Sequence, residues 1–196
     1  LSETINTKWA TILKNLTLPS KVLDEDGLLN AHWIVYHGWS KNNQAKSEIL
    51  DNVFTIERMV NSPRRMVIKI KDYIESLATA SLHWRFINYP EEDKAFVEVT
   101  GSTVREELKY EFSKLNRLSN STVRPVLLAF MPLMKTKPDD LLELVKLCEI
   151  FSFRLFSMNR RRSDTGKNDL FRNSRRFRSN YSEKETLHEA LFNLSW

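Results

Sequence analysis

From Asp139 to Met158 the sequence DDLLELVKLCEIFSFRLFSM returns to an apolar side chain at Leu144, Leu147, Cys148, Phe151 and Leu155. Steps of three and four residues gather side chains on one face only in an α-helix, so this stretch predicts a long helix with one buried side. Asp139 and Asp140 stand at its start and Arg154 near its end, the polarity the helix dipole favours. Just upstream, VRPVLLAFMPLM is almost continuously apolar and predicts a central buried helix, which Pro132 must kink or end. Only four glycines and six prolines punctuate 196 residues, too few for the closely spaced turns of a β-sandwich or barrel. The expected fold class is all-α, an irregular antiparallel helical bundle.

The remaining segments fit that frame. Ile5, Trp9, Ile12, Leu13 and Leu16 recur at helical spacing until Pro19, and DEDGLLNAHWIVYHGW reads as a second helix with Leu28, Leu29, His32, Trp33 and Tyr36 on one side, ended by Gly38. SKNNQAKS reads as a polar loop, and Glu48 to Ser62 is open between a helix and an extended lead-in. Ser62 is expected to cap a long amphipathic helix beginning at Pro63 and marked by Met66, Ile70, Tyr73, Ile74 and Leu77. Residues 88–103 form the clearest internal break, dividing an N-terminal helical part, 1–87, from a C-terminal part, 104–196, unless the two form one continuous domain. Thr103 and Glu106 have capping-box spacing, and Leu108, Phe112, Leu115 and Leu118 follow on one face. DLFRNSRRFRSN predicts a basic amphipathic segment and SEKETLHEALFNLSW a final helix.

Several chemistries are missing from the sequence. Neither a GxGxxG nor a GxxxxGK[ST] loop occurs, and Thr165, Gly166 and Lys167 lack the flanks of a phosphate loop. His32 and His37 are five residues apart, off the spacing that places two zinc ligands on one helix face, and neither has a cysteine partner. His32 and His83, beside Trp33 and Trp84, read as packed core histidines, and His188 as solvent-facing. The acid groups Asp24–Glu25–Asp26, Glu91–Glu92–Asp93 and Asp139–Asp140 lie at helix starts or in loops, where electrostatics alone places acids. The single cysteine, Cys148, lies on an apolar helix face and reads as a buried thiol in a reducing compartment, consistent with a cytoplasmic location. No apolar run nears the roughly 18 residues of a membrane span, and the opening LSETINTKWATILKNL has no signal-peptide core, so no membrane association is expected and the chain reads as the interior of a longer protein.

One feature does suggest a partner. Between Arg154 and Arg178 nine bases face two acids, a local +7 that leaves −2 for the rest of a chain whose formal total is +5. Arginine dominates there, and its planar fork suits phosphate oxygens as well as carboxylates. Arg160, Arg161, Arg162, Lys167, Arg172, Arg175, Arg176 and Arg178 are therefore the expected contacts to DNA phosphates. An ordinary solvated face, an intramolecular arginine network and an acidic protein partner are the competing readings. Arg154, embedded in FSFRLF, is expected to be partly buried on a structural bond instead.

The strings WATILKNL, DEDGLLNAHWIVYHG and ILDNVF resemble the middle part of large bacterial proteins of the GmrSD-like modification-dependent restriction endonuclease family. VRPVLLAFMPLM, LLELVKLCEIFSFRLF and NDLFRNSRRF are similar to the helical region that closes the family's ParB-like N-terminal unit. The family's DGQQR-type and HNH-type motifs do not occur here, so no catalytic residue carries over. The resemblance implies a noncatalytic helical connector in a nucleotide-dependent DNA endonuclease acting in phage defence. Its neighbours would be an NTPase-like domain before it and an HNH-like domain after it, and a nucleotide and a divalent metal would belong to the whole protein, with no cofactor in this region. Arg154 and Asn168 match FxFR and N-x-x-F elements, for which the resemblance implies structural support, a role also expected of His32. The alternatives are a protein-interaction scaffold using exposed aromatics such as Trp39 or Trp196, and a small enzyme whose pocket gathers His32, His83 and acids.

Overall fold

The computed structural model describes residues 2–38, 45–92, 94–99, 101–158 and 165–195. It is an all-α, irregular, mostly antiparallel bundle, with no strand among the described residues beyond a single bridge between Thr17 and Val22. The helices are α1 (Ser2–Leu16), α2 (Glu25–Tyr36), α3 (Ala45–Ser47), α4 (Ile56–Asn61), α5 (Pro63–Asn88), α6 (Ser102–Arg117), α7 (Val123–Phe130), α8 (Leu133–Thr136), α9 (Pro138–Ser152), α10 (Lys167–Ser179) and α11 (Lys184–Ser195). Wider π-helical turns at Glu48–Val53 and Phe153–Met158 follow α3 and α9, and a 3-10 turn at Tyr181–Glu183 leads into α11.

The central element is α7. Its apolar residues from Val126 to Phe130 are all buried, and it meets α2, α5, α9 and α10. Such all-round apolarity is what a helix surrounded by others requires. The main core runs from Ile12 and Leu16 in α1 to Leu187 and Leu191 in α11, and a smaller cluster gathers Trp33, Ala45 and Ile49. The segment between α5 and α6, which reads in sequence as a break, contributes Ala95, Phe96 and Val99 to that same core. Phe96 stacks on Phe112 with ring centroids 5.2 Å apart.

Two polar arrangements hold helix ends. The last carbonyls of α1 are satisfied by Arg85 of α5, whose Nη1 donates to Asn15 and Thr17 at 3.2 and 2.9 Å while its Nε and Nη2 grip Glu92 at 2.6 and 2.9 Å. Across the α9–α11 seam, Lys184 Nζ donates to Asp140 at 2.7 Å and Glu143 at 2.9 Å, and the Tyr181 hydroxyl donates to Asp140 as well.

Local details depart from the sequence expectations. Ser62 and Pro63 do mark the start of α5, but the Ser62 side chain makes no cap; its carbonyl accepts from Met66 at 3.0 Å instead. The Thr103–Glu106 capping box does not form, because α6 begins one residue earlier and places Thr103 inside the helix. His188 does not simply face solvent: its Nε2 lies 3.6 Å from Glu143 at the α9–α11 seam. The open stretch Glu48 to Ser62 is a π-helical turn followed by α4, whose residues are all exposed.

Candidate functional site

The two faces of α10 follow from its sequence. Leu170, Phe171, Ser174 and Phe177 recur at three- and four-residue steps and are buried against α7, α11 and α2. Burial of that stripe turns Arg172, Arg175, Arg176 and Ser179 outward, and all four are exposed. They form one wall of an open groove of about 810 Å³, with Gly38 opposite and Asn180 and Glu183 at one end.

Gly38 is suited to that place. Its φ of +111° is one that side-chain-bearing residues rarely adopt, and a Cβ on it would fall 2.4 Å from Arg175 Nη1. The bare backbone at the end of α2 therefore lets the Arg175 guanidinium lie close. Nothing in the sequence beyond the glycine itself connects positions 38 and 175, and it was as a helix stop that Gly38 stood out.

Charge in the groove is poorly compensated. Arg172 reaches only Asp169, at 3.4 Å between two exposed side chains on adjacent turns. Among the described residues neither Arg175 nor Arg176 has an ion pair, and Glu183 is the one acid among the described lining residues. Exposed pairs of the Arg172–Asp169 kind are worth well under about 1 kcal/mol, so an incoming phosphate meets little competition.

The other expected contacts divide. Arg178 turns away from the groove: its guanidinium sits 4.8 Å from the centroid of Tyr36, Nη2 donates to the Tyr36 hydroxyl at 3.2 Å, and Nε is buried without a hydrogen bond. Lys167, at the start of α10, lies 5.6 Å from the Phe171 ring centroid. Arg160, Arg161, Arg162, Trp39 and Trp196 lie outside the described residues. Arg154 is half-buried in the π-helical turn after α9, and Asn168 is exposed on the groove wall.

The histidines belong to the interior. His32 is fully buried, with its Nε2 2.9 Å from Ser76 Oγ and its ring stacked on Tyr36 at 4.4 Å. Burial first, then His37 and Arg178, depress it to about 3; burial and then Arg178 depress His83 to about 4, so both are neutral at pH 7. Neither lines the groove. Cys148 is fully buried, and that burial raises its thiol well above the ordinary range. Among the described residues no group of three or more His, Cys, Asp or Glu is arranged to hold a metal ion, and no helix is long and apolar enough to cross a membrane.

Comparison with protein-family models, curated proteins and solved structures returns no match.

Proposed function

We propose that the chain is a noncatalytic helical connector that contributes contacts to the DNA phosphate backbone, within a nucleotide-dependent restriction-type endonuclease. The observation that carries the binding part is the exposed row Arg172, Arg175 and Arg176 along one groove wall, opposed by the single acid Glu183 among the described lining residues. Guanidinium groups in this setting attract phosphates over distance and bind them through paired N–H donors on contact. Asn168 adds a neutral donor beside the row, whereas the Ser179 hydroxyl donates to the Arg175 carbonyl at 3.1 Å. Contacts of this kind position a duplex without reading its sequence, which suits a connector between catalytic domains. The endonuclease context comes from the family resemblance in the helical segments.

The test is duplex affinity at two or more salt concentrations for the chain and for an Arg172→Ala/Arg175→Ala/Arg176→Ala variant. Three phosphate contacts correspond to a salt slope of about −2.7 in log–log form, which the triple variant should lose. Salt-insensitive binding, or equal binding by both proteins, would overturn the reading.

A further inference from the structure

A second run of bases lies outside the segment that dominates the charge. From Arg58 to Lys71 there are five bases, Arg58, Arg64, Arg65, Lys69 and Lys71, and no acid. All five are exposed, and none has an ion-pair partner among the described residues. They occupy α4 and the first turns of α5, with Glu57 the acid on α4 and exposed Asp72, directly after Lys71, the first acid on α5.

The fold brings this run to the edge of the α10 groove. Arg65, Lys69 and Tyr73 are spaced four apart on α5 and share one face. The Tyr73 ring lies 5.9 Å from His37, whose ring stacks on Trp33 at 4.2 Å. The next residue, Gly38, is the one against which Arg175 lies. Moving away from His37, Lys69 and Arg65 stand about 6 and 12 Å along the axis of α5 from Tyr73. Desolvation, then the fields of Arg175 and Lys69, hold His37 below the usual imidazole value, so the same side chain feels a cation from each helix. The other groups close to it are neutral His32 and the Tyr73 hydroxyl, which burial keeps protonated.

We infer that Arg65 and Lys69 form a second phosphate-contact site, continuous past His37 and Gly38 with the α10 groove, so that one nucleic-acid backbone is held by two helices 100 residues apart in sequence. This rests on the reading of the groove as a phosphate site and extends it to an element that reading does not include. Phosphates along one strand of a duplex advance about 3.4 Å each, so the α5 stretch matches three or four of them. A track of this length takes a polyanion rather than a single phosphate. Exposed Ile56, Val60 and Ile68 lie beside the bases, which makes an anionic bilayer the rival partner.

The experiment compares the full chain with Arg65→Ala/Lys69→Ala and with Arg172→Ala/Arg176→Ala, measuring Kd for one 20-base-pair duplex across a salt series. Arg65→Lys/Lys69→Arg serves as a charge-preserving control and thermal melting as the check on folding. The α5 double variant should bind at least tenfold more weakly at low salt, with the slope reduced by about 1.8, and the charge-preserving variant should bind as the parent does. If the α10 variant weakens binding and the α5 variant does not, the second site is refuted and the groove survives. If the parent shows no salt-dependent binding, both readings fall together. Tighter binding to phosphatidylserine vesicles than to the duplex, lost in Ile56→Ser/Val60→Ser, would assign the track to a membrane surface and overturn the proposal.

Discussion

Lys184 and Arg175 stand nine residues apart, yet their charges have opposite fates. At the α9–α11 seam Lys184 is largely covered and spends its donors on Asp140 and Glu143 at 2.7 and 2.9 Å, with Tyr181 and His188 completing the network. On the outer face of α10 Arg175 is exposed, with no carboxylate partner among the described residues. The difference teaches that a count of bases does not locate a binding surface. A cation satisfied inside the fold supports the fold, and one left unsatisfied at a groove is available to a ligand.

Acid should set the buried interior apart from the exposed face of α10 most strongly. His32 and His83 are neutral inside and depressed to about 3 and about 4, so the unfolded chain takes up their protons first as the pH falls below about 6.5. Stability then declines by up to about 1.4 kcal/mol per unit for each histidine, or roughly 5 kcal/mol between pH 6.5 and 4.5. Asp140 adds to the loss at lower pH, because Lys184 and Tyr181 hold its carboxyl below the usual range. Chemical denaturation at pH 7.5, 5.5 and 4.5 reads this directly, and a flat profile would contradict the buried neutral state of the two rings.

Lys184→Met should cost about 2 kcal/mol, since it leaves Asp140 with only the Tyr181 hydroxyl and removes a partner of Glu143. Its duplex affinity should stay within about twofold of the parent, which a binding titration beside the melting curve would check. Gly38→Ala should cost about 1–2 kcal/mol for its backbone at φ +111°. Because the new methyl group must also displace the Arg175 guanidinium, weaker duplex binding is expected with it. At the small end, Arg175→Ala should move the unfolding free energy by less than about 0.5 kcal/mol while weakening the duplex complex several-fold. A large loss of stability there would make Arg175 a structural cation like Lys184 and erase the contrast.

Much of the fold was legible because it is local. The spacing of Leu144, Leu147, Cys148 and Phe151 identified α9, Pro132 separated α7 from α8, and the apolar neighbours of His32 and Cys148 marked both as interior. Capping was less legible: Ser62 and Thr103 carry suitable hydroxyls, but a cap depends on the backbone angle at the helix start, which tertiary packing adjusts. For the site, Arg172, Arg175 and Arg176 are close in sequence and line one groove, whereas nothing in the sequence signals the inward turn of Arg178. The interval Arg58 to Lys71 is free of acids in the sequence, but only the fold sets it beside the α10 groove.

Composition and periodicity alone determine that this chain is helical, which faces of its helices are apolar, and that its excess charge is concentrated in arginines, because each depends on residues within a few positions of one another. Only the tertiary structure decides which cations are neutralised. Tyr36 lies 142 positions from the Arg178 it holds, and Gly38 is nearly as remote from Arg175. Hydrogen bonds require contact at about 3 Å and exposed charges are screened beyond about 10 Å, so the fate of each charge depends on neighbours that folding supplies.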